Sequence, residues 1–102
     1  MVMEFQAKAI GCSLTVMFSS IGTGTDTITA RRMRSVFEAD RSVVSVKPYL
    51  RGREGETELC VRINGGTSAI DRLFARLKAI VPKVSDGKRV AIRTRTGKTF
   101  GN

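Results

Sequence analysis

Two segments with the apolar period of a helix stand among four with the period of a strand, in the order β-α-β-β-α-β. A loose internal duplication accompanies this, since strand, Gly/Thr-rich loop, helix and strand occur twice. Together they predict an α+β fold, a ferredoxin-like β-α-β-β-α-β sandwich with two helices on one face of an antiparallel sheet. At 102 residues the chain is expected to be a single domain, 1–102, and a balance of 41% hydrophobic to 26% charged residues is globular rather than disordered.

The stretch Lys88–Arg95 shows the expected sheet most plainly. Val90, Ile92 and Thr94 fall on one face of a strand, and Arg89, Ala91, Arg93 and Arg95 on the other. One face can enter a core while the other carries guanidiniums.

Taken in order, Phe5, Ala7 and Ala9 alternate with polar neighbours, and after Gly11-Cys12 so do Leu14, Val16 and Phe18. The second run predicts a strand. The first is either an extra N-terminal strand or the start of one long strand bent at Gly11. Residues 19–26 form a Gly/Thr-rich loop ending in a helix cap, Asp26 or Thr25; a lone Gly-x-Gly is weak ground for an anion cradle there. A helix follows over 27–40 with Ala30, Met33, Val36 and Phe37 as its stripe, Ile28 near the edge, and Arg31, Arg32 and Arg34 on other sides.

The second strand, 43–51, places Val44, Val46 and Leu50 inward and Val43, Ser45, Lys47, Tyr49 and Arg51 outward. Pro48 has no N–H and assigns this strand to a sheet edge. A charged turn over 51–57, expected to be solvated, leads to a strand with Leu59, Val61 and Ile63 inward and Cys60 and Arg62 outward. Ser68 and Asp71 resemble a capping box for the second helix, whose stripe is Ile70, Leu73, Phe74, Leu77, Ile80 and Val81 and which Pro82 ends. Beyond the last strand, 96–100 either folds back as a short hairpin arm or trails free.

The residue inventory argues against an enzyme. There is no histidine, and Cys12 and Cys60 lack an imidazole to activate either as a nucleophile. Gly97-Lys98-Thr99 resembles the end of a P-loop, but the first glycine that motif needs is missing. No cofactor or metal site is expected. The two cysteines lie far apart, have no metal-type spacing and are expected to be reduced thiols in a cytoplasmic protein. No apolar run reaches the ~18 residues of a membrane span, and the N-terminus lacks a secretion signal.

What stands out is charge: 18 Lys+Arg against 9 Asp+Glu, a net +9. An acidic partner follows, with nucleic acid first and an acidic protein surface second. The candidate contact residues are Arg89, Arg93, Arg95, Lys47, Tyr49, Arg51 and Arg62 on the sheet, with Arg31, Arg32 and Arg34 on the first helix. Guanidiniums suit phosphate oxygens, which accept paired hydrogen bonds. The aromatic platforms of RNA-recognition sheets are replaced here by Met17, Cys60 and Arg62. The expected function is therefore a small basic non-enzymatic binding module. The alternative is a protein–protein interaction module, an adaptor or small inhibitor or a homodimer, that uses the same face.

Overall fold

Leu14, Val16 and Phe18 are buried on one side of strand β1 (Leu14–Ser20), which has a neighbour on each side. The computed structural model describes residues 11–20, 24–50, 56–84 and 86–102. Within them lie α1 (Thr27–Ala39), β2 (Val43–Leu50), β3 (Thr57–Ile63), α2 (Gly66–Lys78), β4 (Lys88–Thr94) and β5 (Thr99–Gly101). The fold is α+β. Five strands form one antiparallel sheet in the order β2-β3-β1-β4-β5, so β1 lies between β3 and β4.

Both helices pack on the same face of this sheet. Met33 and Phe37 of α1 and Leu73, Phe74 and Leu77 of α2 join Leu14, Val16, Phe18, Leu59, Val61, Val90 and Ile92 in one buried cluster. Burial of such side chains contributes roughly 1.5–3 kcal/mol each before chain entropy is subtracted. The opposite face of the sheet carries the outward set of every strand.

The helices start and stop for local reasons. Asp26 caps α1, its carboxylate accepting from the Thr29 N–H at 2.9 Å and the Thr29 hydroxyl at 2.6 Å. Thr29 is buried, while Ile28, expected near the stripe, is exposed. For α2 the expected capping box does not form. The helix begins earlier, at Gly66, after Gly65 in the left-handed region at φ +118°, and Ser68 is already inside it. Asp71 faces away from its own N-terminus. It accepts from the Thr96 hydroxyl at 3.1 Å and pairs with Lys98 at 3.6 Å, tying the β4–β5 hairpin to α2. The helix ends at Lys78, and Val81 is buried in the turn that leads to Pro82.

Two further expectations change, and the choice left open at 96–100 resolves as a hairpin arm: 99–101 fold back along β4, with Ile92 opposite Phe100 and Lys78 Nζ 5.1 Å from the Phe100 ring centre. The Thr94 N–H donates to the Lys98 carbonyl at 2.9 Å, and Gly97 takes the left-handed conformation that closes the turn. The candidate strand at 4–10 and the loop glycine Gly22 lie outside the described residues.

In β2, a register shift between Val43 and Ser45 puts Val43 opposite Ile63 and packs it against the core, leaving Val44 66% exposed. A bulge adds one residue and reverses the inside–outside order before it. This corrects the assignment of Val44 inward and Val43 outward. Leu50 keeps the face of Val46, opposite Thr57, but at the end of the strand it is 84% exposed.

Finally, the expectation of two reduced thiols is corrected: Cys12 and Cys60 are joined in a disulfide, with their Cα atoms 5.2 Å apart. The residues are 48 apart in sequence, but β1 pairs with β3 and brings the approach to β1 alongside Cys60.

Candidate nucleic-acid interface

The strand register arranges the outward residues in rows across the sheet. One row reads Thr99, Arg93, Thr15, Cys60 and Lys47 from β5 to β2. The next reads Gly101, Ala91, Met17, Glu58 and Tyr49. Arg89 lies opposite Ser19 one row further on. On the other side of the Arg93 row, the Arg95 N–H donates to the Ser13 carbonyl at 2.9 Å and the Ser13 N–H to the Val61 carbonyl at 2.8 Å. Arg62 and Arg95 there share a hollow with Ser13 and Asn64.

Five sequence-predicted cations thus come to one face: Lys47, Arg62, Arg89, Arg93 and Arg95, all exposed. None of them forms an ion pair among the described residues, whose ion pairs are Arg76–Asp40 and Lys98–Asp71. Arg93 and Lys47 are three inter-strand spacings apart, about 14 Å. They bracket the face rather than touch.

The face is not uniformly open. Cys60 is 5% exposed and Glu58 6%, so the face is covered at these two residues of β3. Tyr49, opposite Glu58, is half-buried and engaged in a contact of its own. By contrast Ala91, Arg93, Thr99 and Gly101 are exposed. Accessible area and positive charge therefore coincide at β1, β4 and β5. There Thr15, Met17, Ala91, Arg93, Thr99 and Gly101 surround a shallow hollow of about 390 Å³.

Other candidates are placed elsewhere. Arg31, Arg32 and Arg34 are exposed on α1, which buries Met33 and Phe37 against the far side of the sheet. They do not join the sheet cations in one site. Arg34 instead flanks a groove between α1 and the edge strand, floored by Phe37, Val43, Val46, Pro48 and Leu59. Arg51 lies outside the described residues.

The β5 contribution, Thr99 and Gly101, escaped the sequence reading because that reading left 96–100 either paired or free. The Thr-Gly turn at Thr96-Gly97 was its available signal.

What holds the basic strand in place is equally specific. Asn102 extends the β4 ladder. Its N–H donates to the Val90 carbonyl at 3.2 Å, its side-chain oxygen accepts from the Val90 N–H at 2.9 Å, and its amide nitrogen donates to the Pro82 carbonyl at 3.0 Å. Arg89 and Arg93 thus stand on a strand fixed on both edges and, through Asn102, to the turn that follows α2.

No protein-family model, curated protein or solved structure matches the chain. Among the described residues no helix is long and apolar enough to cross a membrane. The cytoplasmic location expected from free thiols loses that ground, since disulfides persist mainly where the redox poise is oxidising.

Proposed function

We propose that the protein is a small non-enzymatic binding module that contacts nucleic-acid phosphates through the basic face of its sheet. One observation carries this reading: five exposed cations on a single face, unpaired among the described residues, in a chain of net charge +9. Arg89, Arg93 and Arg95 lead, with Arg62 and Lys47 flanking. Cations so placed gain more from phosphate oxygens than from one another, and they release condensed counterions when they bind. We take α1, α2 and β1–β4 as a ferredoxin-like unit with β5 appended, supported by the position of β1 between β3 and β4.

Anisotropy titration of short single- and double-stranded DNA and RNA across a salt series tests the function. Three to four phosphate contacts give a log K against log salt slope of about −2 to −3.5, and Arg93→Ala/Arg95→Ala makes it shallower by about 1.5. No binding at low salt refutes the reading.

A second reading has its own observation. Val44 and Leu50 expose apolar surface on the edge strand, Val44 beside Arg62 and Arg95 on the basic face and Leu50 at the end of β2. This favours a protein-interaction module, docking on an acidic protein or on a second copy through that edge. A tight dimer with protected β2 amides and no nucleic-acid binding is the pattern that reading requires.

A further inference from the structure

The hollow at β1, β4 and β5 has a floor and two flanks of different chemistry. Its floor is one register row, Gly101, Ala91 and Met17. Two of these carry little or no side chain, so the floor is low and apolar. It stays low at Gly101, where an added Cβ would meet the Val90 carbonyl oxygen at 3.1 Å. Along β4 the floor is flanked by Arg89 and Arg93, each two residues from Ala91 and about 14 Å from one another along the strand. Thr99 and Thr15 stand beside Arg93 with hydroxyls that can donate or accept. A phosphate surface alone would need only the arginines. A small apolar plate between two guanidiniums asks for a ligand with a flat apolar body and an anion on each side.

We infer that the sheet takes single-stranded nucleic acid, with one unpaired base laid on the Ala91–Met17–Gly101 floor and the flanking phosphates on Arg89 and Arg93. This rests on the nucleic-acid reading above and adds the strandedness and the base subsite. Duplex bases keep their faces stacked on one another and cannot offer one without unstacking. At about 390 Å³ the hollow falls at the lower end of the range that holds small organic groups. Met17 supplies a polarizable surface in place of an aromatic platform.

Three probes of equal length test it: a single-stranded oligonucleotide, the same strand made abasic, and a blunt duplex. Each is titrated in ribo and deoxyribo form. The intact strand is expected to bind about tenfold more tightly than the abasic strand. It should also bind more tightly than the duplex. Base preference with either sugar supports the inference, and the tighter sugar names the source. Ala91→Ile fills the hollow with a side chain suited to a strand and leaves both arginines in place. With its unfolding midpoint matched to wild type, it should bring the intact strand down to the abasic value and leave the abasic value unchanged. Equal affinity for intact and abasic strands, or an Ala91→Ile protein that keeps the base preference, overturns the inference while phosphate binding stands. Absence of binding by every probe at low salt overturns both.

Discussion

Asp40 shows how one side chain can close an element and make stability depend on pH. It follows α1, and its N–H donates to the Phe37 carbonyl at 3.3 Å. Its carboxylate accepts from the Ser42 hydroxyl at 2.6 Å and the Ser42 N–H at 2.9 Å, and it pairs with Arg76 at 3.5 Å. The Ser42 hydroxyl is the main cause that holds its pKa below the ordinary 3.8; burial opposes this, and the Ser42 N–H, Arg76 and Arg72 reinforce it. A depressed folded pKa gives stability that is present in full above the unfolded value and fades as pH falls through the folded one. Ser42→Ala should therefore cost about 1–2 kcal/mol near neutral pH. The gap from wild type should shrink below pH 3.8 as Asp40 protonates. Urea unfolding of both proteins across the acid range reads this out; a gap constant with pH would remove Asp40 from the explanation.

At the scale of elements, α2 starts on backbone geometry where a side-chain cap was expected. Gly65 sits at φ +118°, and a Cβ there would lie 3.0 Å from the Ala69 Cβ, one turn into the helix. Gly65→Ala adds both backbone strain and a contact that Ala69 must yield to, so it should destabilise by about 1–2 kcal/mol in thermal unfolding. Ser68→Ala, removing a residue without a cap role, should fall within about 0.5 kcal/mol of wild type. The contrast shows what periodicity conveys. Val90, Ile92 and Thr94 were legible because strict alternation has only two solutions, and the core chose the apolar one. The stripe of α2 was legible for the same reason at period 3.6. At Val43-Val44 both residues are apolar, so composition cannot choose between them, and the bulge decides. Asp71 was misread because Ser68 offered a local partner, whereas Lys98 and Thr96 reach it only once β4 and β5 have folded. Likewise Arg93 could be read as outward-facing, but not that Gly101 and Met17 would flank Ala91 beside it.

For the whole molecule the Cys12–Cys60 bridge and the excess positive charge pull in opposite directions. A net +9 concentrated in 102 residues repels itself in the compact state. The bridge closes a loop of 48 residues, spanning β1, α1, β2 and part of β3, and so restricts the unfolded chain against which that repulsion is weighed. For a loop of this length the chain-entropy estimate is about 4 kcal/mol, a large share of the 5–15 kcal/mol typical of a domain. Its position also bears on binding, because Cys60 lies in the row between Thr15 and Lys47 and the bridge anchors the approach to β1 there. Reduction should lower the urea midpoint by an amount corresponding to about 2–4 kcal/mol, and Cys12→Ser/Cys60→Ser should match the reduced protein. Added salt should recover part of the loss, since it screens the repulsion that the opened chain resists less well. A midpoint indifferent to reductant, with two thiols titrating in the unfolded chain before any reductant is added, would show that the bridge does not form in solution.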